Sequence, residues 1–540
     1  MSHTCAESAS IHTLASGHAR DNFAANFAAL QRIQPRLHAE QPADVDWIFG
    51  RDRSLTCRDS TGRWATGCSL PRRAAAQMMQ KLEISGSTAC FLAPTHAAQI
   101  RVALDRLWPE QAIVAIVPDA DQLGFLLSCE AFTDAIEANR LWFAIGEQWP
   151  AELRKIFIDN PGLCTPSQFI RLPIAEDETV EPLILAAQKT FLDINTDRAT
   201  QIQTLRQNFS RGDRICIVAS SRFRLWDDAG ATLAELFDDP TIVRIDLDNP
   251  SQASALAMAQ AVQGCRAVVT ANTSRADLPG VLSDSIPWIT WAAADRIPNS
   301  RGAAPCDRLI TANPRRAIEL GWRKDQVTPA CWPWLPRETK PGPSGPGNAS
   351  LSLITNTHPL DPPTDLTEFS SHRLLWELIA ADLHDNPFAL TDDIEGFLLR
   401  RMRKLNIASE TLPKHRFIAD LILPAYQQSI ARLLLREKLP VKLFGAGWER
   451  LPEFAPHACC AVESREKLRE IASDSAGLVH ILPSSLPHPI DALGKPVLRC
   501  RSSNRTSFIS DAKQILTGRF VAPLSTLSPL SREMIENIAT

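Results

Sequence analysis

Short apolar runs separated by helix-length segments are the feature of this sequence that most limits how it can fold. The runs lie at residues 87–93, 112–117, 140–145, 214–219, 241–246, 266–271, 287–291, 308–312, 351–355, 441–444, 477–482 and 496–500. An apolar run of about four to eight residues predicts a strand that is buried on both faces, as the strands of parallel sheets are. Strands that alternate with helices predict an α/β fold with open parallel sheets.

Two boundaries divide these runs among three predicted domains. The sequence KPGPSGPGNAS at 340–350 is too rich in Pro, Gly and Ser to pack or pair, which is typical of a linker. A second boundary lies near 173–197, where an acidic stretch leads into a helical pattern. We therefore predict α/β domains over 1–200, 201–340 and 351–530, a linker over 341–350 and a terminal helix over 531–540.

The composition excludes several classes of protein. The 540 residues are 44% hydrophobic and 22% charged, which excludes a disordered chain. Lys and Arg total 57 against 61 for Asp and Glu, a net charge of -4 that gives no reason to expect a nucleic-acid partner. No apolar run reaches the roughly 18 residues of a membrane span, and the first residues lack a signal-type apolar region. We expect a cytoplasmic protein with no integral membrane segment.

The cysteine pattern gives no support for a metal or disulfide framework. The thirteen cysteines contain no C-x-x-C spacing, and only Cys459 and Cys460 are adjacent. Zinc sites and disulfide scaffolds require paired spacings, so we predict ordinary thiols.

The clearest candidate for a ligand-binding loop follows the strand predicted at 441–444. Gly445 and Gly447 flank Ala446 there, and glycines let a backbone approach a ligand closely. A plain tight turn explains the same pattern equally well.

A second candidate lies between the strands predicted at 477–482 and 496–500. A Pro- and Ser-rich loop leads to a helix that starts at Pro489, carries Asp491 in its first turn and ends at Gly494, with Lys495 beyond it. A carboxylate at the carboxyl edge of a sheet can accept two sugar hydroxyls, and free helix N–H groups suit a diphosphate. The alternative is that Asp491 only caps its own helix.

Other residue types offer a general base and positive charge. No histidine lies between 173 and 357, so a base in the middle domain must be acidic, and Asp295 and Asp307 are the candidates. Lys414 and Arg416 could neutralise a diphosphate. The alternatives are capping carboxylates and a solvated basic face. We predict that His480 is a core histidine, because it lies inside an apolar strand.

Five tryptophans lie close together near the end of the middle domain. They are Trp288, Trp291, Trp322, Trp332 and Trp334. They could stack on a sugar ring, and core packing explains them equally well.

The C-terminal two thirds resemble a known family. The strings FGAGWERLPEF, CAVESREKLREIASDSAGLVHILPSS and HPIDALGKPVL are similar to the C-terminal domain of CgeB-type (spore-maturation) glycosyltransferases. SIPWITWAAADRIP, APCDRLITANPRRAIELGW and QVTPACWPWLP are similar to the N-terminal half of the same family. Motif order and spacing over about 211–518 carry the resemblance.

This resemblance implies a GT-B fold, in which two Rossmann-like domains face each other and the C-terminal one binds a nucleotide-sugar. Gly445 and Gly447 would line the nucleotide, His488 would lie near the diphosphate, and Asp491 would bind the ribose. Gly494 and Lys495 would complete that loop. The implied activity is transfer of a hexose-like sugar to a protein, glycan or small-molecule acceptor, with no cofactor. Helix N-termini and cationic side chains can supply the charge, so no metal is predicted.

The first third resembles Maf-type (motility-associated) glycosyltransferases. DNFAANFAALQRIQPRL, WIFGRDRSLTCRD and the stretch from STACFLAPTHAA to QLGFLL carry this likeness. The family's Gly-rich loop is replaced here by residues 93–96, which contain no glycine, and its Glu-Pro-Asp by Val117, Pro118 and Asp119. This predicts a structural or acceptor-recruiting domain that binds no nucleotide. Together with Asp491 in place of the CgeB family's Glu, it supports an alternative, a catalytically inactive GT-B-like binding or scaffold protein.

Overall fold

The computed structural model of the chain describes residues 2–43, 45–58, 62, 64, 69–79, 88–107, 111–166, 168–170, 177–219, 225, 229–237, 242–247, 249–293, 297–333, 350–360, 362, 366–367, 369–390, 393–408, 412, 414–483, 488–500, 505–519 and 528–539. Its strands are β1 (Asp46–Phe49), β2 (Leu55–Arg58), β3 (Thr88–Leu92), β4 (Ala112–Val117), β5 (Leu141–Ile145), β6 (Gln168–Ile170), β7 (Arg214–Ala219), β8 (Val243–Asp246), β9 (Cys265–Ala271), β10 (Trp288–Ala292), β11 (Arg308–Thr311), β12 (Val327–Pro329), β13 (Leu351–Ile354), β14 (Val441–Phe444), β15 (Gly477–Val479) and β16 (Val497–Leu498).

The α-helices are α1 (Ser2–Ile33), α2 (Pro71–Met79), α3 (Ala97–Leu104), α4 (Ala120–Cys129), α5 (Thr133–Glu137), α6 (Trp149–Asp159), α7 (Asp177–Gln207), α8 (Ala229–Leu236), α9 (Ala255–Ala261), α10 (Pro314–Glu319), α11 (Ser370–Asp385), α12 (Ile394–Lys404), α13 (Lys414–Phe417), α14 (Leu423–Arg436), α15 (Arg465–Asp474), α16 (Arg505–Leu516) and α17 (Arg532–Ala539). Short 3₁₀ helices lie at Arg275–Asp277, Lys324–Gln326, Pro387–Ala389, Trp448–Arg450, Ala455–His457 and Pro489–Leu493.

The first parallel sheet has the strand order β5-β4-β3-β6. All its strand pairs are parallel, and every residue of β3 and β4 is buried. Side chains of β3 alternate between two apolar clusters, Phe91 in one and Cys90 in the other. Burial on both faces is what the continuous apolar runs predicted, and the α/β fold is confirmed here.

The second sheet has six strands in the order β12-β11-β10-β9-β7-β8. β7 pairs with β8, β10 with β11 and β11 with β12, each in parallel. Trp288 and Trp291 on β10 are each 1% exposed, and the ring of Trp332 meets that of Trp291 edge to face at 4.8 Å. Trp322 is also buried. Packing therefore accounts for these four tryptophans, and Trp334 lies outside the described residues.

The third sheet has the order β14-β13-β15-β16, and all of its strands are parallel. One apolar cluster includes Leu353 and Leu443, and a second includes Ile354 and Leu478. The sheet is thus covered on both faces, which confirms a further Rossmann-like layer arrangement.

A π-helical turn at Ile418–Ile422 joins α13 to α14 in one continuous helical stretch. Phe417, Leu421, Ile422 and Tyr426 are fully buried on the two sides of the junction. The turn lets side chains that a regular helix would spread around its axis contribute to one core.

Contacts divide the chain into two compact units. The first comprises Met1–Ser221, Asp239–Val268 and Arg275–Pro287, and the second comprises Arg222–Asp238, Val269–Ser274 and Trp288–Thr540. The division into three domains stays a prediction. Within the described part of the chain, no helix is both long enough and apolar enough to cross a bilayer.

Asn26 ties α1 to the connection between α4 and α5. Its Nδ2 donates to Leu127 O at 2.8 Å and to Glu130 O at 2.7 Å, and its Oδ1 accepts from Phe132 N at 2.7 Å. The side chain is 1% exposed. This one amide therefore holds three backbone groups of the connection.

We expect Asn26→Ala to lower the free energy of unfolding by roughly 2–4 kcal/mol, because buried backbone groups lose their partners. Asn22→Ala is the matched control, since Asn22 lies one turn away on α1 and, among the described residues, its side chain donates to Ser128 O alone, at 3.2 Å. Its loss should be about 1 kcal/mol or less. Denaturant unfolding of the two variants measures the difference, and equal losses would contradict the assignment.

Candidate functional site

The strand order of the third sheet defines a topological switch point at the carboxyl ends of β13 and β15. β13 comes first along the chain and pairs with β14 on one side and β15 on the other. The chain therefore changes direction between β14 and β15. Ligands of open α/β sheets bind outside the strand ends at such a point. The loops concerned are 355–360 after β13 and 480–483 after β15.

The glycine turn Gly445–Gly447 has all three of its backbone N–H groups hydrogen-bonded within the chain. The first donates to Cys460 O at 2.9 Å, the second to Asn356 Oδ1 at 2.9 Å and the third to Glu449 Oε2 at 3.0 Å. A diphosphate would need these donors to be available. The turn is therefore internally satisfied in this conformation.

The neighbouring loop explains why both ends of the turn are glycine. A Cβ on Gly445 would lie 2.2 Å from Thr355 O, and one on Gly447 would lie 1.8 Å from Thr357 O. Both glycines also have positive φ, +119° and +99°. A tight turn packed against the loop after β13 accounts for the glycine pattern, and nucleotide contact here stays a prediction.

Asp491 lies in the 3₁₀ helix Pro489–Leu493 and has one oxygen fixed. Its Oδ2 accepts from His488 N at 2.8 Å and from Arg499 Nη2 at 2.5 Å. Its side chain is 30% exposed, and that of Arg499 is 14% exposed. Among the described contacts, none involves Oδ1. The carboxylate thus caps its helix, as the alternative predicted. Its Oδ1 is the oxygen that could accept a hydrogen bond from a ligand.

His488 is the N-cap of this short helix. Its Nδ1 accepts from Ile490 N at 3.3 Å, so an amide that was predicted to face a diphosphate is capped from within. Burial, together with the nearby His480 and Arg499, holds the pKa of His488 well below its usual range. The imidazole is therefore neutral and carries no charge that could pair with a phosphate. His480 is 1% exposed, as expected of a core histidine.

Gly494 and Lys495 connect this helix to β16. Gly494 has φ +67° and forms the predicted C-cap. Lys495 Nζ donates to Ser473 O at 2.8 Å and Ser475 O at 3.0 Å, beside the C-terminus of α15. A cation at a helix C-terminus is stabilising, so Lys495 stabilises the end of α15 in the conformation observed.

The two cations predicted to bind phosphate are engaged in ion pairs. Lys414 Nζ lies 3.4 Å from Glu395 Oε1, and Arg416 Nε lies 3.5 Å from Asp420 Oδ2. These contacts match the alternative of a solvated charged face.

Of the two candidate bases, Asp295 lies outside the described residues. Asp307 is 2% exposed, and its oxygens accept from Trp288 N at 3.1 Å and Ala304 N at 2.7 Å. A base must reach a substrate hydroxyl, and a carboxylate buried against backbone amides does not. The geometry favours the capping alternative for Asp307.

Three polar residues at the carboxyl edge were not predicted from the sequence. Asn356 and His358 are exposed directly after β13, and Arg499 follows β16. His358 Nδ1 lies 2.8 Å from Pro359 O. Asn356 and His358 follow the strand predicted at 351–355, which was the available signal, whereas Arg499 lies inside the strand predicted at 496–500.

The first sheet has its own switch point between β3 and β6. In the loop after β3, the backbone N–H groups are again hydrogen-bonded within the chain. Thr95 N and His96 N both donate to Gln99 Oε1, and His96 Nδ1 accepts from Ala98 N at 3.0 Å. Burial lowers the pKa of His96 to about 4. The loop's donors serve the helix that follows, and the absence of nucleotide binding by this domain stays a prediction.

Neither a protein-family model nor a curated protein matches the sequence. Among solved structures, the chain is similar to a MAf glycosyltransferase from Magnetospirillum magneticum AMB-1, with 13% identity and a TM-score of 0.24. The similarity covers 59% of this chain and 57% of that chain. At that TM-score the likeness carries no argument about the activity of this chain.

We expect Gly447→Ala to destabilise the chain far more than Gly518→Ala. Both glycines have positive φ, but a Cβ on Gly518 meets nothing within 4 Å. Gly518→Ala should therefore cost only about 1–2 kcal/mol of backbone strain, whereas Gly447→Ala should exceed about 3 kcal/mol. Denaturant unfolding gives both values. A similar loss in the two variants would show that the loop after β13 can move away.

Proposed function

We propose that this chain is a glycosyltransferase that binds a nucleotide-activated sugar at the carboxyl edge of the third sheet. The reaction breaks the bond between the sugar's anomeric carbon and the diphosphate oxygen, and it forms a bond from that carbon to an acceptor hydroxyl oxygen. The proton of the hydroxyl passes to a base. The nucleotide-sugar is a substrate, and no cofactor enters the proposal.

The observation that carries the proposal is the state of the Asp491 carboxylate. Arg499 and the His488 N–H group fix Oδ2, while Oδ1 has no described partner. A carboxylate that is oriented by a guanidinium and partly exposed can accept hydrogen bonds from hydroxyls of a ribose or sugar.

We assign the base to His358. This histidine is exposed beside the switch point, and the contact from its Nδ1 to Pro359 O places the proton on Nδ1. Nε2 is then left as an acceptor for the proton of a hydroxyl. Asp307 is too buried for the task.

A catalytically inactive binding or scaffold protein is the second candidate. The satisfied amides of Gly445–Gly447 and the ion pairs of Lys414 and Arg416 favour it, because these groups contribute no available charge or donor in the observed conformation. Such a protein would keep the folds and bind no activated sugar.

Calorimetric titration of the full chain with UDP-, GDP- and CMP-sugars separates the two candidates. We expect one of these donors to bind, and Asp491→Ala to weaken that binding at least about fivefold, the effect of losing a charge-assisted hydrogen bond. Asp474→Ala, which removes an exposed carboxylate at the end of α15, is the control and should bind as the parent does. Absence of binding to every donor would favour the scaffold candidate, and unchanged affinity in Asp491→Ala would show that the donor site lies elsewhere.

The proposal that His358 is the base predicts a loss of transfer rate and no loss of donor affinity. His358→Ala should lower the rate of transfer by at least about 100-fold, the usual effect of losing a general base, with donor affinity unchanged. His457→Ala, which removes another histidine of the third sheet's surroundings, is the control. The rate is measured with whichever donor binds, by following release of the nucleoside diphosphate. Retention of full activity by His358→Ala would move the base to another residue.

A further inference from the structure

Cys459 and Cys460 differ from the other described thiols in their exposure. Both are exposed, whereas the remaining described cysteines are buried or only partly accessible. Adjacent exposed thiols form a pair that a solution reagent can reach, and reactivity of cysteine follows thiolate character and access.

The backbone of this pair is bound to the end of β14. Cys459 N donates to Leu443 O at 2.9 Å, and Cys460 O accepts from Gly445 N at 2.9 Å. Ala458, just before the pair, forms a parallel bridge with Leu443. The pair therefore holds one side of the glycine turn, while Thr355 O closely approaches Gly445 from the other side.

We propose that Cys459 and Cys460 are a redox-sensitive vicinal dithiol whose oxidation by a small-molecule disulfide releases the turn Gly445–Gly447. This proposal stands independently of the proposed function, because it concerns the thiols and the backbone alone. The oxidant is named by class as a low-molecular-weight disulfide such as oxidised glutathione.

The chemistry proceeds in two exchanges. The thiolate of Cys460 attacks one sulfur of oxidised glutathione, which forms a mixed disulfide and releases one glutathione thiolate. The thiolate of Cys459 then attacks the sulfur of Cys460, which closes the protein disulfide and releases the second glutathione. The protein loses two electrons and two protons, and one oxidised glutathione becomes two reduced molecules. Partial desolvation raises the pKa of Cys459, which lowers the fraction of this thiol that is thiolate and so disfavours it as the first attacking group.

The spacing of the two residues makes this disulfide reversible. Successive Cα atoms lie about 3.8 Å apart across a trans peptide, whereas disulfides usually join Cα atoms about 4.4–6.8 Å apart. The ring is therefore strained, and strained exposed disulfides are the ones that are readily reduced and used for regulation.

Closing the ring constrains the peptide between the two cysteines and changes the backbone dihedral angles of Cys460 on its far side. The carbonyl of Cys460, which belongs to the next peptide, is thereby turned away from Gly445 N–H, and the turn loses the hydrogen bond that holds it to this segment. Opening of the turn becomes more frequent as a direct result, without any change at Asp491.

The full chain is equilibrated in glutathione buffers of increasing oxidised fraction, trapped by alkylation and analysed by peptide mass spectrometry. We expect the peptide that contains both cysteines to lose two hydrogen atoms reversibly, and Cys459→Ser to retain glutathione on Cys460 because the second exchange is blocked. Cys164→Ser, which removes a partly exposed thiol elsewhere, should oxidise at 459 and 460 as the parent does. A stable glutathione adduct on the parent protein would overturn the proposal.

Hydrogen exchange tests the structural consequence. Peptides that contain the Gly445 amide should exchange about fivefold faster in the oxidised protein than in the reduced protein, the change expected from losing one hydrogen bond. Cys460→Ser under the same oxidising buffer should exchange as the reduced parent does, since it cannot form the ring. Equal exchange in the oxidised and reduced parent would show that the turn does not respond.

Discussion

Two loops that meet backbone to backbone organise the carboxyl edge of the third sheet. Ala446 O accepts from Thr357 N, Asn356 Oδ1 accepts from Ala446 N, and no side chain could fit between the loops at the glycine positions. The contact fixes where the chain goes after β13 and therefore where Asn356 and His358 emerge. The geometry proposed for a sugar at the switch point depends on this contact.

The fold could be predicted from the sequence because a strand that is buried on both faces can be recognised as an unbroken run of apolar residues. Strands such as β4 and β7 are continuous apolar runs, and the predicted limits of β4 and β14 match those observed. The strands that were missed are short and lie at edges, as β6 and β12 do, or belong to the β1-β2 hairpin. Edge strands of three residues bury too little apolar surface to produce an apolar run that can be recognised in the sequence.

The candidate site was less predictable because hydrogen-bond partners come from distant parts of the chain. The sequence identified Gly445, Gly447 and Asp491 as unusual positions, but it could not show that Cys460, Asn356 and Arg499 occupy their polar groups. Spacing along the chain predicts which residues lie at a strand end. It does not predict which of them satisfy one another, since that depends on loop geometry.

The π-helical turn Ile418–Ile422 has a consequence for how this helix can change in evolution. It carries one residue more per turn than its α-helical neighbours, so deletion of a single residue there could restore a regular helix with its hydrogen bonds intact. The segment before it would then keep its orientation relative to α14, because about five residues of a π-turn turn the helix as far as about four α-helical residues do. Phe417 and Tyr426 would both keep their places in the core. This junction is therefore a place where the chain could lose one residue without displacing the side chains on either side of it.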